Sequence, residues 1–177
     1  MSLHTATIEA QLGELRKARR YIDAALGQLR DEDLHYKLNP EQSSIAAYVQ
    51  HLAGNMRSRF TDFLSSDGEK PGRNRESEFA DRDLSKAELL QLLDAGWATV
   101  FAAVESLREG DLERTVLVRN EPHTAVMAIT RQVAHYSYHA GQIVLLAKHV
   151  KQSRGEAWNY LTIPPGGSAE FNRARGL

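Results

Sequence analysis

The chain has 177 residues, with 22 Lys and Arg against 23 Asp and Glu, a formal net charge of −1 at pH 7, 42% hydrophobic residues and no cysteine. Length and apolar content suit one globular domain with a single sizeable core and exclude a disordered chain, while the near-neutral charge leaves no electrostatic footprint for nucleic acid. The missing cysteine removes disulfides, thiolate nucleophiles and Cys-type zinc sites together, so any metal must be held by His, Asp or Glu. No apolar run approaches the roughly 20 residues needed to cross a bilayer. The N-terminus, Met1-Ser-Leu-His-Thr-Ala6, lacks the charged-then-apolar layout of a signal peptide. These features predict a cytoplasmic protein with neither nucleic acid nor membrane as a partner.

Residues 5–30 read as an amphipathic helix, because Ile8, Leu12, Leu15, Arg19, Ile22, Leu26 and Leu29 recur at alternating four- and three-residue steps. Arg19 is the charged member of that seam. Either its stem packs while its head reaches water, or it meets an anion in a polar pocket. A second helix is expected over 43–65, capped by Ser43 or Ser44. Its apolar stripe is Ile45, Val49, Leu52, Met56, Phe60 and Phe63. Beside it run Ser44, Tyr48, His51, Asn55 and Asp62, with Arg59 on the apolar side. A polar stripe bordering an apolar one is what a helix lining a wet pocket shows.

Residues 65–83 form a Gly/Pro-punctuated, charged connection, longer than helix–helix loops usually are, and read as a surface crossover rather than a domain boundary. The capping box Ser85-Lys-Ala-Glu88 opens a third helix over 85–109. Leu89, Leu93, Trp97, Val100, Phe101, Val104 and Leu107 keep helical spacing along it, and Gly110 stops it. Thr115-Val-Leu-Val118 is a strand fragment or extended chain. The last long helix is expected over 123–150. Thr130, Ser137, Gly141 and Lys148 give it a narrow water-facing strip, with Met127, Tyr138 and Leu145 on one apolar flank and Ile129, Val133, Tyr136, Ala140 and Ile143 on the other. That pattern puts His135, His139 and Gln142 in the middle of the buried arc. Residues 151–177 are irregular, yet Trp158, Tyr160, Leu161, Ile163 and Phe171 are too apolar for a free tail, so the segment should dock, with Ser168-Ala-Glu-Phe171 as a last helical turn.

Four amphipathic helices and no convincing sheet predict an all-α, single-domain four-helix bundle over residues 1–177 with a docked C-terminal segment. Bundles build metal sites from inward-facing side chains of neighbouring helices. His135 and His139, four residues apart, lie on one helix face about 5.4 Å apart, and His51 of the second helix is the candidate third ligand. Three His ligands with positions left open describe a catalytic type of divalent site. The bland alternative is three core histidines satisfied by neighbours. Gln142 and Asn55 share the stripes of the histidines and are candidates for orienting them. Tyr136 follows His135, so the general base of the His-Glu-x-x-His zinc proteases is absent. Such an ion can lower the pKa of bound water for hydrolysis, or hold a low-molecular-weight thiol as thiolate. Arg19, Arg57 and Arg59 are candidates for gripping a carboxylate on such a thiol, acting as co-substrate beside a small-molecule substrate. Tyr48 and Tyr138 offer a phenol near the metal or simply pack.

The stretch Ser44-Ile-Ala-Ala-Tyr-Val-Gln-His51-Leu-Ala-Gly-Asn55, followed by His135-Tyr-Ser-Tyr-His139-Ala-Gly-Gln142-Ile143, resembles the DinB/YfiT-like superfamily, with one His in the second helix and His-x-x-x-His-x-Gly-Gln in a later one. Asp67-Gly-Glu-Lys-Pro71 and Ile163-Pro-Pro-Gly-Gly-Ser-Ala-Glu-Phe171 are similar to one uncharacterised branch of it. The resemblance implies an up-down bundle, often a homodimer, with nickel or zinc on His51, His135 and His139. Among the relatives it implies are thiol S-transferases that use bacillithiol, mycothiol or glutathione, a mycothiol-dependent isomerase, and many members labelled only as metal-dependent hydrolases. The superfamily often has Arg after the second motif His, where this chain has Ala140. The expectation is therefore a divalent-metal-dependent enzyme that transfers a small thiol. The alternatives are a hydrolase of a small substrate, or a non-catalytic protein in which the ion ties two helices together. A DNA-damage role ranks last, since the composition holds no basic surface.

Overall fold

A computed structural model describes residues 1–80 and 82–176, so the crossover expected over 65–83 is described except at Asp81, and the C-terminal segment except at Leu177. Four long helices carry the fold: α1 (Leu3–Leu26), α2 (Ile45–Phe60), α3 (Lys86–Glu105) and α4 (Ala125–Ser153), with a two-residue-turn hairpin β1 (Thr115–Val118) and β2 (Glu121–Thr124) before α4 and a short α5 (Ser168–Arg173) at the end. Each long helix starts at a side-chain cap that satisfies an amide the helix cannot. Ser2 accepts from Thr5 N (3.2 Å), Ser44 from Ala47 N (3.2 Å) and Thr124 from Met127 N (3.4 Å). Ser85 and Glu88 form the expected reciprocal box.

The helices pack mainly as two pairs, α1 on α4 and α2 on α3, and α2 also meets α4. Gly96 permits the close approach of α2 and α3: a Cβ there would stand 3.3 Å from Ala53 Cα and 2.9 Å from Met56 Sδ. Leu15, Ile22, Leu52, Met56, Trp97, Tyr136 and Ile143 are fully buried in the common core.

Several boundaries differ from the periodicity reading, for local reasons. α1 stops at Leu26, with Gly27 as its right-handed cap (φ −58°) still donating to Asp23 O, and a 3-10 turn at Glu32–His35 inserts Leu34 into the core. α2 stops at Phe60: Thr61 turns extended and Asp62 is left-handed at φ 48°, so Asp62 is an exposed turn residue rather than a member of the polar stripe. α3 ends at Glu105, and Gly110, at φ 88°, opens the 3-10 turn Asp111–Glu113 instead of closing the helix. α3 also corrects the expectation about apolar runs, since by length and composition it alone among the described helices could cross a membrane. Its Leu89, Leu93, Trp97, Val100 and Val104 are buried in the core and its Asp94 pairs with Arg19, as in the core helix of a packed domain.

The hairpin resolves the ambiguity at Thr115–Val118. Val118 pairs with Glu121 and Thr115 with Thr124 across a turn of Arg119 and Asn120, both left-handed (φ 57° and 64°). That is the two-residue turn whose twist matches a hairpin. The second strand went unread because Pro122 sits in it and it is only four residues long. Of the C-terminal segment, Trp158 is buried in the core and Asn159 N donates to Gln28 Oε1 (2.9 Å), whereas Tyr160, Ile163 and Phe171 remain exposed.

Candidate functional site

His51 projects from α2, and His135 and His139 from α4. Their ring centroids stand 5.3 Å (His51–His135), 5.1 Å (His51–His139) and 4.6 Å (His135–His139) apart. Each ring offers a nitrogen within 4.8 Å of those of the other two. Around one ion with bonds of about 2.1 Å, tetrahedral nitrogens would stand roughly 3.4 Å apart, so the rings need only a small inward shift. His135 Nε2 and His139 Nδ1 are buried and meet no hydrogen-bond partner. A buried polar atom left unpaired costs about 1–3 kcal/mol, a cost that a ligand there would relieve.

The electrostatics favour neutral imidazoles. Burial, helped by the nearby imidazoles and guanidiniums of Arg59 and Arg73, pushes His135 down to about 3. Burial pushes His139 down to about 4, with Gln142 acting in the opposite direction. Neither ring holds a proton that a cation must displace at neutral pH.

His51 is oriented by a residue that periodicity did not single out. Its Nδ1 lies 2.9 Å from Glu78 Oε2, in the crossover. Burial alone would push the Glu78 carboxyl up, but the hydrogen bonds from His51 and Arg73 and the Arg73 charge outweigh it and hold it below the ordinary carboxylate range. An ionised carboxylate only accepts, so Nδ1 donates, and in the neutral ring Nε2 is the nitrogen left for a ligand, the arrangement by which a carboxylate fixes a metal-binding imidazole. Arg73 grips the same carboxylate with two bonds, Nε to Oε1 at 2.8 Å and Nη2 to Oε2 at 2.9 Å. Phe79 stacks on His51 (4.6 Å between centroids), and the Arg75 guanidinium lies 4.9 Å from the Phe79 centroid. Gly54 makes room for Glu78, since a Cβ at position 54 would stand 2.7 Å from Glu78 Cδ.

The other expected residues divide. Arg59, Asn55 and Tyr138 line a cavity of about 340 Å³ whose wall also includes His51 and His135. Asn55 accepts from the buried Tyr136 hydroxyl (3.1 Å), tying α2 to α4, and makes no hydrogen bond to a histidine among the described residues. Gln142 donates to Tyr138 Oη (3.1 Å). Tyr48 and Tyr138 flank His139, with ring centroids 5.4 and 5.2 Å from it. Arg19 does not join: it pairs with Asp94 (2.6 Å) and Asp23 (3.3 Å) on the α1–α3 surface. Arg57 is exposed on α2, outside the cavity. Of the α4 histidines, His139 is buried as expected, whereas His135 is half-buried at the edge of the arc, because the flank of Met127, Tyr138 and Leu145 expected inside is exposed. That edge position puts His135 on the wall of the cavity. Sequence periodicity missed Arg73, Arg75, Glu78 and Phe79 in the crossover and Arg119 in the hairpin turn.

Two outcomes follow for this network. Glu78→Gln keeps the shape but removes the charge that orients His51, so affinity for Zn(II) should fall about 10–100-fold. Gly54→Ala should fall in the same direction by displacing Glu78, even though alanine raises helix propensity by about 1 kcal/mol. Competition with a chromogenic chelator measures both, and unchanged affinity in both would remove Glu78 from the site.

Acid should also loosen the metal-free fold. Burial acts to raise Asp67 and Glu69, but backbone amides at Asp67, and Arg119 and Arg59 at Glu69, outweigh it and hold both carboxyls low, as at Glu78. Carboxyls lowered by folding stabilise above their unfolded values, 3.8 for Asp and 4.5 for Glu, and that stability is lost as pH falls through the folded ones. Histidines lowered from 6.5 act in the same sense, because the unfolded chain takes up protons first. The urea midpoint should change little between about pH 7 and 8 and fall steadily from about pH 6.5 to 3; a midpoint that rises on acidification contradicts the assignment.

No curated protein and no solved structure matches the chain significantly. The profile of a family described as "Protein of unknown function (DUF1572)" matches residues 3–167. A match over nearly the whole chain, spanning all four long helices and every residue of the histidine cluster, makes this protein a member of the DUF1572 family.

Proposed function

We propose that this protein is a divalent-metal-dependent enzyme acting on a small molecule, with His51, His135 and His139 as the ligands, and that its four long helices form a bundle of the DinB/YfiT-like type. The observation that carries the reading is the convergence of three imidazoles, two with unpartnered buried nitrogens, with His51 and His135 of the three lining an open cavity. Three nitrogen donors backed by a carboxylate suit a borderline Lewis acid such as Zn(II) or Ni(II). When bound, the ion supplies Lewis acidity that lowers the pKa of an acidic proton on its ligand, a small thiol or water.

The chain's own groups set the rest. Glu78 and Phe79 fix the His51 ring, one by hydrogen bond and the other by stacking. Tyr138, held by Gln142, presents its phenol at the cavity wall. Transfer of a thiol to a carbon electrophile forms a C–S bond as the leaving group departs with the electron pair, and the thiol proton passes to solvent. None of the described residues lining the cavity carries a carboxylate that could act as a base, which favours chemistry in which the bound ion would itself ionise the nucleophile, a thiol in transfer or water in the alternative hydrolysis. A fourth protein ligand would support a purely structural ion instead, and the described residues bring only three candidates together.

The test is metal analysis of the purified protein, then conjugation of glutathione to a chloronitroaromatic with and without chelator. One equivalent of metal per chain and chelator-sensitive conjugation support the reading. Bound metal without conjugation or ester hydrolysis would favour the structural ion.

A further inference from the structure

We infer that the cavity beside the histidines is built to hold the anionic end of the substrate, a group presenting carboxylate or phosphate oxygens. The inference rests on the reading of that cavity as the substrate site and names the chemistry it selects. Five guanidiniums line the cavity, from Arg59, Arg73, Arg75, Arg119 and Arg131, although the whole chain is close to neutral. They come from four places in the sequence: α2, the crossover, the hairpin turn and α4. Such convergence of like charge is costly unless something answers it.

The protein answers it only in part. Glu69 is shared among Arg59 (3.0 Å), Arg73 (3.4 Å) and Arg119 (3.0 Å). Glu78 serves Arg73 and His51, and Glu76 meets Arg75 at 3.3 Å on the surface. Asp67 spends its oxygens on the amides of Glu69, Arg119 and Asn120. Counting all four carboxylates still leaves the five guanidiniums in excess, before any divalent ion is added. Arg131 has no ion-pair or hydrogen-bond partner for its side chain among the described residues, and it stands on the same helix face side as His135, one turn away.

Arg119 adds a second, independent pointer. It occupies the first turn position at φ 57°, in a left-handed region that favours Gly, Asn and Asp over a long side chain. The turn is held there from outside, by Asp67 accepting the Arg119 and Asn120 amides at 2.9 and 2.7 Å. The hairpin therefore keeps an arginine where turn chemistry prefers a smaller residue, and that arginine faces the cavity. Planar guanidiniums arriving from several directions suit carboxylate or phosphate oxygens, which accept paired hydrogen bonds.

Two variants test this without endangering the fold. Arg131→Gln removes a partnerless side chain, and Arg119→Gly installs the residue the turn prefers. Arg57→Gln removes the same charge from the same region outside the cavity. Each protein, as purified, is titrated calorimetrically at low ionic strength with inorganic phosphate and, separately, with succinate, and its Zn(II) stoichiometry is measured in parallel by equilibrium dialysis. The expected result is saturable binding of at least one anion by the unaltered protein, weakened at least tenfold in Arg131→Gln and Arg119→Gly and less than twofold in Arg57→Gln, with the thermal melt of Arg131→Gln unchanged and that of Arg119→Gly lowered only slightly by the loss of its pair with Glu69. Preference for phosphate or for succinate identifies which oxyanion the cavity takes. Binding of neither anion, or equal weakening by Arg57→Gln, overturns the inference. One equivalent of zinc with no anion bound refutes the anion site and spares the metal reading; anion binding without zinc does the reverse.

Discussion

His135→Ala should abolish stoichiometric metal binding. A three-histidine ion shares its binding free energy among few donors, and structural zinc sites of four ligands gain about 10–16 kcal/mol in all, so one imidazole accounts for about 3–4 kcal/mol, or about 10²–10³-fold in affinity. The loss should be specific to the metal. The His135 ring is half-buried with an unpartnered Nε2, and removing it deletes an unsatisfied group instead of creating one. Metal-free His135→Ala should therefore melt close to the metal-free parent, while added Zn(II) raises the melting temperature of the parent alone. Dialysis against Zn(II) followed by metal analysis is the direct measurement. If the variant retains one equivalent per chain at the parent's affinity, His135 is not a ligand and the proposed site is wrong.

Trp97→Ala should be the most damaging core substitution. Trp97 is fully buried on α3, stacked with Phe101 (5.6 Å between centroids) and edge-on to Tyr136 (5.5 Å). Truncation at such a site costs about 3–5 kcal/mol through lost burial and the cavity left behind. For a domain of this size that is a fall of about 6–20 °C in melting temperature. The damage should reach the candidate site, because Tyr136 carries the hydroxyl that bonds Asn55 between α2 and α4. Trp97→Phe is the informative control. The Trp97 Nε1 is buried without a partner, so phenylalanine removes an unsatisfied donor together with some apolar area, and the net cost should stay below about 1.5 kcal/mol. Equal destabilisation by both substitutions would mean that the indole nitrogen, not the ring volume, matters here.

The exposed flank of α4 and the fate of Arg19 have one cause. On α4, Met127, Tyr138 and Leu145 are apolar in type but face outward, because α1 and α2 cover only part of the helix circumference. Residue type records which groups tolerate burial; it does not record how many neighbours a helix will have. Arg19 occupies a seam position, yet its guanidinium leaves the seam for Asp94, seventy-five residues away on α3. No local signal distinguishes that outcome from a polar pocket.

What the amino-acid order alone determined is whatever depends on neighbours within about one helical turn. A serine cap at 43 or 44, the cap Ser85 with the box closed by Glu88, the apolar spacing of the four long helices and the pairing of His135 with His139 on one face are all set by groups three or four positions apart, whose mutual placement the helix dictates. Only the tertiary structure decided that His51 lies beside that pair, that Glu78 and Arg73 close over it from an irregular crossover, and that Arg119 of a two-residue turn enters the same cavity as Arg131 of α4. Those residues sit in segments without periodicity, and their partners lie far away along the chain. Their positions are fixed by hydrogen bonds and charge pairs that exist only once the helices have packed.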